Sequence, residues 1–148
     1  MKKYNLILTA MLVIALCFAA CSSDDEPIVV EIANGTAGSL TWTLTEDGTL
    51  TISGNGEMAN YTYNSETVLS TAPWYSHRNT ITKVVIADSV TSIGDYAFCH
   101  CAGLTSITLP SSLTSIGNDV FLHCTRLTSI TLPNSLTSIG RFAFYYCV

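Results

Sequence analysis

The chain has 148 residues, of which 48% are hydrophobic and only 11% are charged, and its formal net charge is −5. This length is typical of a single domain. The few basic residues form no cluster, which excludes a nucleic-acid-binding protein, since such a protein needs a positive stripe to neutralise phosphates.

Residues 1–20 have the composition of a secretory signal peptide. Lys2 and Lys3 precede an uncharged apolar run at positions 6–20, which is shorter than the roughly 20 residues of a membrane-spanning helix. A basic start, a short apolar run and a small-residue end are typical of an export signal that is removed. Its removal takes away two of the six basic residues and no acid, so 4 basic and 11 acidic residues remain, a formal charge of −7.

The sequence around Cys21 resembles the lipobox of bacterial lipoproteins. Phe18-Ala19-Ala20 precedes Cys21, and the resemblance implies that Cys21 is lipidated and becomes the mature N-terminus. The polar, acidic residues that follow predict a solvated tether over 21–29. They are also similar to the export signals of surface-exposed lipoproteins of the Bacteroides group, which implies a lipid-anchored protein of the outer membrane or cell surface.

Residues 30–80 are predicted to form an N-terminal β cap. Two segments of alternating apolar residues lie between positions 39 and 53 and flank Glu46-Asp47-Gly48, a pattern that predicts a β-hairpin with a glycine in its loop. We expect the apolar face of this hairpin to cover the first of the repeats that follow.

Residues 81–148 repeat with a period of 23 residues. Thr-Ser-Ile-Gly begins at Thr91, Thr114 and Thr137, and the same shift relates Val84, Ile107 and Ile130. We number the repeats 81–103, 104–126 and 127–148, the last of which is incomplete. The period predicts a leucine-rich solenoid, in which short parallel β-strands alternate with helical turns such as the one expected around Phe121.

The cysteines at the repeat spacing are predicted to form a buried, reduced column of structural thiols: Cys101, Cys124 and Cys147. A disulfide that uses Cys99 is the alternative, although side chains stacked in register are poorly placed for one. His100 and His123 lie beside this column, but adjacent residues point apart, so no metal site is predicted. The sequence contains no catalytic motif, and neither an enzyme nor a cofactor is expected.

The strand face of the solenoid is the predicted binding surface. Its residues alternate with the buried ones and are Lys83, Val85, Ser106, Thr108, Ser129 and Thr131. Extended faces of this kind are often used by repeat proteins to bind partners. Solvated Ser and Thr at exposed strand positions would give the same pattern without binding anything. Trp74 is a further candidate contact, because an aromatic ring can stack on a sugar or a peptide.

The repeat consensus is Leu104-x-x-Ile107-x-Leu109-Pro110, followed by Leu-Thr-Ser-Ile-Gly, a Phe and a Cys. This consensus resembles the BspA-like leucine-rich repeat family of bacterial surface proteins. The resemblance implies adhesion or binding of a protein or glycoprotein, without catalysis. Two other interpretations remain: a truncated or remnant copy of a longer adhesin with only a structural role, and a glycan-binding accessory lipoprotein. The last repeat exposes strand edges, so self-association through it is also expected.

Overall fold

The computed structural model describes residues 28–147. The predicted signal peptide and the predicted lipidation site Cys21 lie outside the described residues. Regular structure in the described region is almost entirely β. The strands are β1 (Glu31–Ala37), β2 (Leu40–Thr45), β3 (Thr49–Gly54), β4 (Gly56–Glu57), β5 (Tyr63–Asn64), β6 (Leu69–Ser70), β7 (Lys83–Ile86), β8 (Val90–Ile93), β9 (Ser106–Thr108), β10 (Ser115–Ile116) and β11 (Ser138–Ile139). One turn of 3-10 helix covers Tyr75–His77.

A five-stranded sheet has the order β1-β2-β3-β7-β9 and joins the N-terminal region to the repeats. β2 and β3 form an antiparallel hairpin, and β3 then runs parallel to β7, with Leu50 opposite Val84. β7 is in turn parallel to β9, with Val84 opposite Ile107. Successive side chains of a strand point to opposite faces. The aliphatic positions Leu44, Leu50 and Val84 are therefore buried on one face, and the threonines between them lie on the other.

The hairpin turn is fixed by Asp47 and Gly48. The Asp47 carboxylate accepts hydrogen bonds from the Thr45 hydroxyl and from the Thr49 N–H, at 2.6 and 3.0 Å. These bonds favour the ionised form, so the pKa of Asp47 lies below its ordinary value. Gly48 has φ +81°, and a Cβ there would lie 2.6 Å from the Thr80 carbonyl oxygen. Only glycine fits both the conformation and the space.

A second, parallel sheet has the order β11-β10-β8-β4. Three of its four strands, β8, β10 and β11, contain residues of the Thr-Ser-Ile-Gly motif of the three repeats. Ser115 lies opposite both Ser92 and Ser138, so residues 23 positions apart are neighbours across the sheet. Gly94, at the end of the motif, packs directly against the chain at Ala59, and a Cβ at Gly94 would overlap the Ala59 carbonyl oxygen. Glycine at this position therefore allows the chain that precedes the repeats to lie close to the first repeat.

The helical turns predicted in the repeats are not formed between residues 81 and 147, and that element of the prediction was wrong. Tyr96, His100 and their equivalents 23 and 46 residues later have positive φ, which an α-helix does not allow. Some amide groups of these turns also bond between repeats, whereas others close a turn within one repeat, such as that of Cys99 to the Tyr96 carbonyl at 3.3 Å. The N–H of Phe98 donates to the Val120 carbonyl and that of Phe121 to the Ala143 carbonyl, at 3.0 and 2.8 Å. Consecutive tight turns, stacked from repeat to repeat, replace the helix.

Polar side chains also link successive repeats. The Asp95 carboxylate accepts the backbone N–H of Asn118 at 2.7 Å, and the Asn118 side-chain oxygen accepts the backbone N–H of Arg141 at 2.8 Å. The side-chain oxygen of Asn60, which precedes the repeats, accepts the backbone N–H of Asp95 in the first repeat in the same way. Each of these side chains satisfies an amide that would otherwise lack a partner at the corner of the repeat.

The interior of the repeats contains a column of stacked rings. Trp74, Phe98, Phe121 and Phe144 follow one another with centroid separations of 5.8, 5.6 and 5.3 Å. Trp74 is fully buried and occupies the level before the first repeat phenylalanine. The ring column therefore extends the core of the repeats into the N-terminal region.

The third repeat departs from the ladder in one place. Residues 128–133, which correspond to β9, form no strand. Ile130 is only partly buried against the same core as Val84 and Ile107. The second sheet nevertheless continues through β11, so the third repeat stacks on the second through that sheet and through the tight turns.

Candidate functional site

The outer side of the five-stranded sheet presents an ordered set of hydroxyl groups. One row crosses all five strands and contains Asn34, Thr43, Thr51, Val85 and Thr108, each opposite the next. A second row contains Thr49, Lys83 and Ser106. We call these two rows together the hydroxyl face. The sequence predicted only its β7 and β9 members.

The hydroxyl face is accessible and carries little charge. Lys83, Ser106 and Thr108 are exposed, and Thr51 and Val85 are half-buried. Lys83 is the one ionisable side chain in the two rows. A Ser or Thr hydroxyl can donate one hydrogen bond and accept two. Such a surface suits recognition of a polar partner through many neutral hydrogen bonds.

Ser129 and Thr131 are not joined to this face by strand pairing. Both are exposed, but they lie in the stretch that forms no strand. Thr131 instead lines a crevice of about 340 Å³ together with Thr108 and Ile107. The predicted surface is thus regular through β9 and becomes a shallow crevice beyond it.

Trp74 cannot contact a ligand, and its prediction as a binding residue was wrong. Its side chain is completely buried, and its indole N–H donates to the Ala97 carbonyl at 2.7 Å. Trp42 packs against Trp74 in a T-shaped arrangement, with ring centroids 6.2 Å apart. Trp74 is a core residue, because its ring stacks on Phe98 as the first ring of the column.

The three cysteines at the repeat spacing and Cys99 are free thiols in the structure. Cys99, Cys101 and Cys124 are buried, and Cys147 is half-buried. The thiol groups of Cys124 and Cys147 donate to carbonyl oxygens of the preceding repeat, Phe98 and Phe121, both at 3.2 Å. Burial raises the pKa of Cys99 to about 11 and raises those of Cys101 and Cys124 further. The reactive thiolate is therefore disfavoured at neutral pH.

A second aromatic column, which sequence analysis did not predict, lies nearer the surface. Tyr63, His100, His123 and Tyr146 stack in that order with centroid separations of 4.9, 4.7 and 4.5 Å. We call these four residues the His–Tyr column. The 23-residue spacing of His100 and His123 was visible in the sequence, but their neighbour Tyr63 lies outside the repeats. The pKa of His100 is lowered mainly by burial and further by the nearby His123.

A groove of about 640 Å³ runs along the second sheet. Its floor consists of small residues of the repeated motif, among them Ser92, Ser115 and Ser138, and Glu57 is its one ionisable side chain. Within residues 28–147 no cluster of three or more His, Cys, Asp or Glu side chains is positioned to hold a metal ion. Over the same residues, no helix has the length and apolarity needed to cross a membrane.

Comparison with known families identifies the repeats. A family model described as the BspA type leucine rich repeat region matches residues 72–148, with six copies of its repeat unit. The chain belongs to the BspA-type leucine-rich repeat family. The match begins before the first 23-residue repeat and includes Trp74, in agreement with the position of that residue at the start of the ring column.

Solved structures of similar proteins show the same leucine-rich repeat fold. A leucine-rich repeat protein from Eubacterium ventriosum is 29% identical, with a TM-score of 0.59 over 80% of this chain and 36% of that one. A leucine-rich repeat protein from T. pallidum is 24% identical, with a TM-score of 0.52 over 78% of this chain and 57% of that one. This BspA-type protein thus spans about a third to just over half of their lengths. No curated protein matches the chain.

Proposed function

We propose that this BspA-type protein is a lipid-anchored, non-catalytic lipoprotein of the outer membrane or cell surface that binds a protein or glycoprotein. In this proposal residues 81–148 are a short solenoid, residues 30–80 are its N-terminal cap, and Cys21 carries the anchor. The signal-like first 20 residues and the acidic tether support the anchor. Two or more acyl chains hold a protein stably at a membrane.

The observation that carries the binding proposal is the row of in-register side chains on the hydroxyl face. Thr43, Thr51, Val85 and Thr108 follow one another across four paired strands. Strand pairing fixes their backbones, so little conformational entropy is lost when a partner orders them. The hydroxyl face is also continuous from the N-terminal hairpin into the repeats. The hairpin strands β2 and β3 therefore extend the surface that β7 and β9 of the repeats provide.

A binding comparison with two matched arginine variants tests this proposal. Thr108→Arg places a bulky cation on the hydroxyl face, and Ser138→Arg does the same on exposed β11 of the second sheet. The immobilised chain is screened against panels of glycoproteins and polysaccharides, and each partner found is titrated against both variants.

We expect Thr108→Arg to weaken binding at least about tenfold, which corresponds to about 1.4 kcal/mol, and Ser138→Arg to leave binding unchanged. A partner lost only with Ser138→Arg would assign binding to the groove of the second sheet instead. Equal binding by both variants would contradict a role for the hydroxyl face.

Glycan binding is a second candidate, because the last repeat exposes several aromatic rings. Phe142, Tyr145 and Tyr146 are each about half exposed. Tyr146 stacks on His123 as the last ring of the His–Tyr column, and exposed tyrosine rings can stack on sugars. On this alternative, polysaccharide binding is lost with Tyr146→Ala and persists with Thr108→Arg.

A further inference from the structure

The first described residues form an exposed aliphatic patch. Ile28 is 92% exposed and Val29 69%, and Val30 and Ile32 are also exposed. We call these four residues the N-terminal patch. Single exposed apolar residues are common on protein surfaces. A cluster of four exposed aliphatic side chains within five positions commonly marks a contact surface.

The N-terminal patch belongs to the folded body rather than to a free tail. The Val30 carbonyl accepts the Glu46 N–H at 2.9 Å, which fixes the segment to the turn between β2 and β3. Ile28, Val29 and Val30 line a crevice of about 310 Å³ together with Glu46 and Asp47 of that turn. β1, which contains Ile32, is an outer strand of the five-stranded sheet.

The proposed anchor would hold this patch close to a lipid surface. Ile28 follows Cys21 by seven positions, and seven extended residues span at most about 25 Å. This distance is less than the thickness of a bilayer. An aliphatic patch held so near the headgroups gains free energy by entering the interface.

We infer that the N-terminal patch rests on the membrane interface and orients the protein with its last repeat away from the bilayer. This inference rests on the proposed lipidation of Cys21. Both sheets run from an N-terminal strand, β1 or β4, to a strand of the repeats, β9 or β11. With β1 at the membrane, the repeats stack outwards. The neighbouring carboxylates Glu31, Glu46 and Asp47 disfavour an anionic surface, so the lipid partner is zwitterionic.

Tryptophan reporters at the two ends of the molecule test the orientation. The native Trp42 and Trp74 are buried and give a constant background. Full-length protein processed by a bacterial host is reconstituted into phosphatidylcholine vesicles with brominated acyl chains, as Val29→Trp and, for the control, Tyr146→Trp. Emission is compared with that of each variant in unbrominated vesicles, and iodide serves as the aqueous quencher. Mass spectrometry of the N-terminal peptide establishes whether Cys21 carries lipid.

We expect the brominated lipid to remove most of the added emission of Val29→Trp and to leave that of Tyr146→Trp unchanged, with the opposite pattern for iodide. If Cys21 is lipidated but iodide quenches Val29→Trp, the patch faces water and the inference fails alone. Protection of Val29→Trp from both quenchers would mean that a protein surface, such as a second copy, covers the patch, which also overturns it. A chain without lipid on Cys21 overturns the anchor and the orientation together.

Discussion

Two buried tyrosines of the N-terminal region differ in a single hydrogen bond. The Tyr75 hydroxyl donates to the Val68 carbonyl at 3.0 Å, whereas the Tyr61 hydroxyl has no partner among the residues that the structure describes. Burial raises the pKa of Tyr61 to about 12. A buried polar group without a partner carries its full desolvation penalty, while a satisfied one contributes net stability.

This difference predicts opposite effects of removing each hydroxyl. Tyr75→Phe should lower the free energy of unfolding by about 1 kcal/mol, and Tyr61→Phe should leave it unchanged or raise it by up to about 1 kcal/mol. Urea denaturation of both variants and the unmodified chain measures the effect. A loss of stability for Tyr61→Phe as large as that for Tyr75→Phe would show that Tyr61 has a partner in solution.

A substitution within the ring column is expected to cause a larger loss of stability. Phe121 is fully buried between Phe98 and Phe144, so Phe121→Ala removes contacts to two repeats and should cost about 3–5 kcal/mol. Phe142→Ala is the matched control, because Phe142 is half exposed, and it should cost less than about 1 kcal/mol. Thermal unfolding distinguishes the two variants. A small effect of Phe121→Ala would mean that the repeats do not share one core.

At the scale of elements, the His–Tyr column makes stability depend on pH. The pKa of folded His100 is lowered by burial, by His123 and, to a smaller extent, by Arg78. The unfolded chain therefore binds the proton more tightly than the folded protein. The free energy of unfolding is therefore highest, as far as His100 is concerned, above the ordinary histidine pKa of about 6.5. It decreases progressively as the pH falls below that value.

His100→Tyr is expected to weaken this acid dependence, because the third repeat already has Tyr146 at the equivalent position of the column. The measurement is the urea midpoint of the variant and of the unmodified chain between about pH 7.5 and 5.5, the interval in which histidine titrates. If both proteins lose the same stability over this interval, His100 does not provide the linkage.

Elements with a strong periodic pattern could be predicted from the sequence, and elements that depend on stacking could not. The β2–β3 hairpin is visible because alternating apolar residues flank Gly48. β1 (EIANGTA) has almost no apolar alternation and becomes a strand only because β2 pairs with it. The stretch around Phe121 places apolar residues at a spacing that fits both helix and tight turns. The positive φ of residues such as Asp119 and His123, together with the amide bonds to the stacked neighbour, distinguishes the tight turns from a helix.

The residues of the hydroxyl face also fall into two groups, those that the alternation pattern predicted and those that only strand pairing reveals. Alternation within β7 and β9 identified Lys83, Val85, Ser106 and Thr108, whereas Thr43 and Thr51 join them only through the parallel pairing of β3 with β7. Trp74 was misjudged because its burial depends on Phe98, a residue 24 positions later in the chain.

At the scale of the whole molecule, the last repeat presents an apolar surface. Leu132, Ile139, Phe142, Tyr145 and Tyr146 are exposed, and β11 is an outer strand of its sheet. Unpaired strand edges beside apolar side chains favour pairing with another chain. We therefore predict that residues 22–148 self-associate as their concentration rises.

Sedimentation velocity measures this association. Ile139→Lys should shift the distribution towards monomer, because a charge would have to be buried in the contact, and Ile28→Lys at the opposite end should not. A monomer at all concentrations, or an equal effect of both variants, would contradict association through the last repeat.

Successive 23-residue repeats stack and bond to one another through their tight turns. NMR couplings transmitted through hydrogen bonds identify the acceptor of each amide and therefore measure this stacking. We expect couplings from the Phe98 nitrogen to the Val120 carbonyl carbon and from the Phe121 nitrogen to the Ala143 carbonyl carbon. Couplings to carbonyls four residues earlier in the chain would show helical turns, and the stacked arrangement would then be wrong.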